Sequence, residues 1–526
     1  MKHKVIILLS FFVLLLSSCT GDEHKDKITF RVTNDSEPTS LDPQLSTDTA
    51  ASNIISNILL GLTVRDAQTG GYKPGLAHSW DISSDGLTYT FYLREGLIWS
   101  DGVPITAEGI RKSYIRILNK DTASQYVDMV KSVIKNAQEY FDGLVLDSEV
   151  GVKALNDTTL EITLANPRPY FLDMLTHTTY MPVPVHVIEK HGNKWTDPEN
   201  MVVSGPFKLK EKLVNDKIVI AKNDKYYNAS NVEIDEVVFY TATANTAYNM
   251  YINDELDFLM KVGTEYLEEA RIRDDYYSFP YNAVSYVAFN TTIKPLDNPK
   301  VREALTLAID RVALTKSIGK GRSAPTRNLT PSFENYSYGK ELTLFDPQRA
   351  KQLLAEAGFP EGKDFPTLKY KVTKSDGPKL FEEFLQEQFK KILNIDIEIE
   401  TEEWTTFLTS RRLGNYQMSD MGWAGDYSDP LTFLESLFTT EYHTFGAYGY
   451  SNKEYDSLVK KSDLEQDPIK RQDILRKAEE IIVEQDFPVA PLSIVKSHYL
   501  FRDDKWSGWT PNIAGKYLYE DIKVKK

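Results

Sequence analysis

Apolar positions along the chain recur in two periods. Leu87, Tyr89, Phe91 and Leu93 alternate with polar or smaller residues, which predicts a strand with one buried face. Ser84-Asp85-Gly86 just before it supplies a turn, with glycine where a positive φ is wanted. Val301, Ala304, Leu305 and Ala308 follow the i, i+3, i+4, i+7 pattern behind Asn298-Pro299, which predicts a helix starting there. Asp346-Pro347 predicts another, carrying Ala350, Leu353, Leu354 and Ala357 and stopped by Gly358. Phe365–Tyr370 and Ile395–Glu400 predict strands on either side of a helix, an α/β unit. With no short repeat or low-complexity tract, solenoids and propellers are excluded. The pattern predicts a large α/β or α+β protein with more than one core.

The first residues follow a different rule. Lys2, His3 and Lys4 precede Val5–Leu16, an apolar run broken only by Ser10. It falls short of the roughly 20 residues that span a bilayer. Leu16-Ser17-Ser18-Cys19 then sets small residues before the lone cysteine. This resembles a bacterial lipoprotein signal, which implies removal of residues 1–18 and lipidation of Cys19. Residues 19–27 would be the lipidated cysteine and a polar tether. The expectation is a soluble body outside the cytoplasm, held to a membrane at Cys19.

Composition narrows the chemistry. The chain has 526 residues, enough for two to four folding units. Its 61 Lys and Arg stand against 76 Asp and Glu, a net charge of −15, which argues against a nucleic-acid partner. A single cysteine excludes an internal disulfide and a multi-cysteine metal site. Neither G-x-x-x-x-G-K-[ST] nor G-x-S-x-G occurs. Gly319–Ala324 partly mimics a dinucleotide loop but follows a helical pattern, so it is read as a plain loop. His186 and His191 on one helix would lie about 140° apart and cannot share a metal. Glu402-Glu403 reads as a solvated pair. No enzyme activity, cofactor or metal is therefore expected. Aromatic residues make up 12% of the chain, a composition that suits both packed cores and the walls of a wet cleft.

Four stretches carry a resemblance. They are Ser40-Leu41-Asp42-Pro43; Leu76-Ala77-His78-Ser79-Trp80, running on through Tyr89–Arg94 to Trp99–Ala107; Asn298–Leu305 with Ala308-Ile309-Asp310-Arg311; and Gly422-Trp423-Ala424-Gly425-Asp426-Tyr427-Ser428-Asp429-Pro430. In this order they resemble the extracytoplasmic solute-binding proteins of family 5, the oligopeptide-binding receptors of ABC importers. Gly109 departs from the family pattern, where an acidic residue usually starts the helix. The resemblance implies an α/β, two-lobed, periplasmic-binding-protein-like fold with an extra subdomain and a ligand cleft between hinged lobes. Residues 28–59, 186–283 and 496–526 would form lobe I, 60–185 its extra subdomain and 284–495 lobe II. It further implies a monomer that hands short peptides to a membrane permease.

The same resemblance implies the site. Asp426 would take the ammonium of a free peptide, since enclosing that charge without a counter-charge costs several kcal/mol. Backbone around Gly422, Ala424 and Gly425, with Thr47–Thr49 opposite, would pair with the peptide as with an added strand. Trp404, Trp423 and Tyr126 would line side-chain pockets, Tyr427 would accompany Asp426, and Arg411 would lie close to the cleft. Where the family has a basic residue for the ligand's C-terminus, this chain has Ser419-Asp420-Met421. That carboxylate is left to Arg322, Arg411 or water. Same-fold receptors for dipeptides, metal chelates, haem or oligosaccharides are the alternative, as is a surface adhesin or signalling receptor.

Overall fold

The computed structural model describes residues 27–526 except 35, 334–335, 340–344, 375–378, 441–445 and 466. The leader, Cys19 and the tether up to Asp26 lie outside the described residues. Two long strands organise the rest. Tyr276–Phe289 and Val489–Phe501 pair antiparallel down the middle of an eleven-stranded sheet. We call them the crossing strands, because different partners flank their two halves.

On one side, Val489–Phe501 continues into Phe258–Leu259, Thr29–Asn34, Glu236–Thr241, Lys217–Lys222 and Phe207–Leu213. On the other, Tyr276–Phe289 continues into Met418–Ala424, Leu368–Thr373 and Ile397–Glu402. The register of the crossing pair shifts between Pro280 and Val284 and again between Ser285 and Tyr286. Proline has no N–H to give to a ladder, and bulges bend strands, so the sheet is weakest where it passes from one body to the other. The expected lobe boundaries, 283/284 and 495/496, fall inside these two strands.

The predicted elements appear with small shifts. The alternating strand is Thr88–Leu93, in a separate four-stranded sheet. Asn298 caps helix Pro299–Leu307 and Asp346 caps Pro347–Glu356, each by accepting a backbone N–H, and Gly358 follows at φ +98°. The predicted α/β unit is Leu368–Thr373 and Ile397–Glu402, parallel, joined by helix Leu380–Leu393. Leu385, Phe389 and Leu393 set that helix on the sheet at a four-residue spacing. Both strands begin two or three residues later than the apolar pattern suggests. His186 sits on helix Val185–His191 and binds Asp101 at 2.8 Å. Glu402 and Glu403 are ion-paired to Lys371 and Lys374, each at 2.6 Å. Thr106 still caps its helix through Gly109 N–H, at 3.1 Å.

Buried arginines pin the third motif to the crossing strands. Arg311, with no exposed surface, donates to the carbonyls of Pro491, Thr306 and Ile309. Arg302 donates to those of Leu296 and Phe487. The C-terminal segment returns over an aromatic cluster centred on Phe258, whose ring lies 5.3–5.7 Å from Tyr499, Phe501, Trp509 and Tyr517. Asn57 then holds it to helix Thr49–Ile58, taking Tyr519 N–H and donating to Tyr517 O. This cluster positions one wall of the cleft, so Phe258→Ala should cost about 3–5 kcal/mol. Urea unfolding measures it; a loss under about 1 kcal/mol would show that the cluster is not a structural centre.

Candidate functional site

Strand Met418–Ala424 edges the gap between the two bodies. It pairs with a crossing strand on one side, Gly422 opposite Ser285 and Ala424 opposite Ala283. Gly425 N–H donates to Asn282 O at 2.8 Å, and Asn290 N–H to Gln417 O at 2.9 Å. These bonds set the phase of the ladder: odd-numbered residues point their amide groups at the crossing strand, even-numbered ones away from it. On that far side, Leu368–Thr373 covers only Met418 and Ser419. The backbone groups of Asp420, Gly422 and Ala424 thus face a sheet edge with no neighbouring strand among the described residues. Gly422 is exposed. A Cβ at Gly425 would run into the side-chain amide of Asn282, so any side chain there would have to displace it.

Asp426 ends this edge. Its backbone N–H and the Trp423 indole both donate to the buried Thr432 hydroxyl, at 2.9 and 3.3 Å. Its side chain is 10% exposed, and Oδ1 lies 3.3 Å from His177 Nε2. Thr179 N–H donates to His177 Nδ1, which leaves the ring proton on Nε2, facing the carboxylate. Oδ2 is buried with no hydrogen-bond partner. A buried carboxylate oxygen in that condition is a vacancy for a donor.

These groups line a cavity of about 510 Å³ between the bodies. Ten of the eleven residues expected at the ligand line it: Asp426, Trp423, Gly422, Ala424, Gly425, Trp404, Arg411, Tyr126, Thr47 and Thr49. Thr49 is the first residue of helix Thr49–Ile58, capped by Asp48, so extended pairing on that side stops at Asp48. Trp404 starts helix Trp404–Leu413; its indole lies 6.2 Å from the Phe407 ring, and its Nε1 is buried with no hydrogen-bond partner. The cavity wall therefore carries a buried acceptor, Asp426 Oδ2, and a buried donor, Trp404 Nε1, without partners. Arg322 lines it too, donating to Val262 O and Thr264.

Two residues with no motif around them join the site. His177 caps the short turn Thr178–Tyr180, and Lys516 comes from the C-terminal return. Burial pushes Lys516 down to about 8, with the Asp426 charge opposing, and its ammonium donates to Ser52 Oγ. Tyr126, 5.1 Å from the His177 ring, is raised by burial and by the Asp426 charge.

Tyr427 does not face this cavity. It stacks on Tyr170 at 5.0 Å, 4° from parallel, and lines a neighbouring cavity of about 490 Å³. There it belongs to a clasp. Arg168, 2% exposed, reaches Asp463 at 3.0 Å and Glu435 at 3.4 Å. Arg471 grips Asp429 with two bonds of 2.8 Å and lies 5.6 Å from the Tyr170 ring. Ser428 N–H donates to Asp173, which is ion-paired to Arg65. The loop bearing Asp426 is thus fastened to the opposite body by the residues just after it. Asp429 accepts Leu431 N–H at the start of helix Leu431–Phe438.

Comparison with known proteins follows this geometry. The profile of the bacterial extracellular solute-binding proteins, family 5, matches residues 71–444. The chain is 32% identical to the oligopeptide-binding protein OppA of Bacillus subtilis strain 168, over 93% of this chain and 94% of that one. It superposes on the crystal structure of a periplasmic oligopeptide-binding protein (OppAIV) of Borrelia burgdorferi with a TM-score of 0.93 at 56% identity, covering 95% and 100%. The murein tripeptide binding protein MppA of Escherichia coli superposes with a TM-score of 0.90 at 27% identity, covering 95% and 99%. Its unliganded open form reaches only 0.67 at 26% identity, covering 95% and 98%.

The present arrangement thus differs from that open form and brings the two bodies together at the clasp. Arg168→Met would leave Glu435 and Asp463 buried without their cation. The variant should open, with a larger radius of gyration by solution X-ray scattering and an affinity for its ligand at least about tenfold weaker. An unchanged radius and affinity would show that the clasp does not hold closure.

Proposed function

The chain belongs to the bacterial extracellular solute-binding proteins of family 5, and on that premise we propose that it captures short peptides between its lobes and delivers them to an ABC permease. One observation carries the reading: Asp426 Oδ2 is buried and unpartnered at the end of an open strand edge. A free peptide is complementary to that pair of features. Its ammonium supplies the missing donors, and its extended backbone pairs with the outward groups of Asp420, Gly422 and Ala424. Main-chain pairing is indifferent to side-chain identity, so many sequences fit. Tyr126, Trp423 and Trp404 wall the pockets. The printed names of the relatives, oligopeptide-binding and murein tripeptide binding, point to the same ligand class.

The fold supports receptor chemistry over catalysis, because the charges in the cleft are arranged to hold a zwitterion. Arg411 and Arg322 are basic side chains on the cleft wall within the region the ligand's carboxylate would reach. The lipid at Cys19 would keep this receptor beside its permease, and the tether would let it turn toward the transporter. Tyr427 acts in this scheme as part of the clasp that reports an occupied cleft.

The test is isothermal titration of residues 20–526 with tri-, tetra- and pentapeptides, free, N-acetylated and C-amidated. Free peptides should bind, and acetylation or Asp426→Ala should each weaken them about 100-fold or more, the scale of breaking a buried charge pair. Native mass spectrometry of protein purified without added ligand should show a ladder of co-purified peptides. Peptides that bind equally well after acetylation would sink the role of Asp426; a single sugar, haem or metal mass would sink the peptide reading.

A further inference from the structure

The cleft contains a second carboxyl that the ammonium site does not use. Asp420 lies on the same strand face as Gly422 and Ala424, the less buried face, and lines the same cavity. Gly422, without a side chain, leaves the space beside it open. Among the described residues the Asp420 carboxyl makes no ion pair, and Arg411 is the cation that favours its charge. Every element around it contributes a titratable group: Glu382 from helix Leu380–Leu393, Arg411 from helix Trp404–Leu413, Tyr286 from a crossing strand and Tyr370 from Leu368–Thr373. Lys371, on that last strand, is already paired to Glu402.

A second carboxyl, Glu382, lies close to Asp420; Arg411 faces Asp420, and Lys379 and Glu383 flank Glu382. Burial pushes Asp420 up to about 7, with Glu382 adding to the rise and Arg411 opposing it, and burial raises Glu382 as well. A cation entering from the cleft would favour the ionised form of Asp420. Trp404 and Phe407, on the same helix as Arg411, offer aromatic surface to its alkyl stem and charge.

We propose that Asp420 is a specificity-determining residue that selects peptides carrying a lysine or arginine side chain downstream of the amino terminus. This rests on the peptide reading given above. Asp420 stands four positions before Ala424, where the extended run ends, a span of about 13 Å at roughly 3.3 Å per residue, so the selected side chain belongs to roughly the third to fifth ligand residue. The cleft then recognises two positive charges at a fixed separation. A zwitterion alone satisfies only the first.

Titration calorimetry with pentaalanine and with lysine walked through positions two to five, against norleucine at each position, tests the inference. One lysine position should bind about tenfold or more tighter than its norleucine counterpart, and Asp420→Asn should erase that difference. The gain carries a pH signature that needs no variant. The cation favours the ionised carboxyl, so the lysine advantage should grow as pH rises through about 7 and shrink below it. Lysine no better than norleucine at every position, a gain that survives Asp420→Asn, or a preference for glutamate over lysine would each overturn the inference while the peptide reading stood. If pentaalanine and every lysine peptide failed to bind, the peptide reading itself would fall, and this inference with it.

Discussion

A carboxylate oxygen shut inside a protein without a donor is a debt of several kcal/mol, and the cleft is organised around one. Asp426 Oδ2 has no partner, while the loop that carries it is tied down at four points. Its own N–H goes to Thr432, Gly425 N–H to Asn282 O, Ser428 N–H to Asp173, and Asp429 to Arg471. The loop cannot swing the carboxylate out to water while those bonds persist. Relief comes from an incoming donor or from opening the cleft. That choice is the thermodynamic content of a binding protein whose closure depends on ligand.

Closure has its own electrostatic cost, and the clasp shows how it is offset. Arg168, Glu435 and Asp463 lose water together, and ion pairs rarely do more than break even on burial. The Tyr170–Tyr427 stack and the apolar surface continuous with the main core contribute the rest. Because Tyr427 and Ser428 follow Asp426 directly, the clasp and the ammonium site move as one piece. A bond to the ligand and a bond across the lobes are therefore made on the same short segment. The crossing strands permit this, because their irregular register near Pro280 lets the two halves of the sheet turn while remaining hydrogen-bonded.

Much of this was legible in the sequence, for reasons that differ by element. Helix starts were clear because Asn298-Pro299 and Asp346-Pro347 are local capping signals, read without tertiary context. Strand starts slipped by two or three residues because Phe365 and Ile395 are apolar and pack just outside the ladder. The helix at Thr49 was missed as the end of the extended segment: Thr47-Asp48-Thr49 reads equally as strand or cap until Asp48 is seen accepting Ala51 N–H. Tyr427 was assigned to the ligand because it adjoins Asp426, yet neighbours along a chain face opposite ways. His177 and Lys516 carried no signal at all. Each is a lone basic residue about 250 or 90 positions from Asp426, brought in by folding alone.

The motifs themselves divide along the same line. Asp42 of the first motif is buried, accepting the Trp195 indole and Arg116; Arg302 and Arg311 of the third spend their hydrogen bonds on backbone carbonyls. These residues hold the scaffold and never meet ligand. Only the Gly422–Pro430 motif enters the cleft, and there it supplies backbone edge and one carboxylate, the parts common to any peptide. What distinguishes one peptide from another must come from the remaining walls. Those include Trp404, Phe407, Arg411 and Asp420, from a helix and a strand with no fixed spacing between them. A pattern shared by a family can thus reveal that peptides bind while saying nothing of which. The preference lies in the Asp420 carboxyl and the groups packed around it, a property of packing that no linear motif encodes.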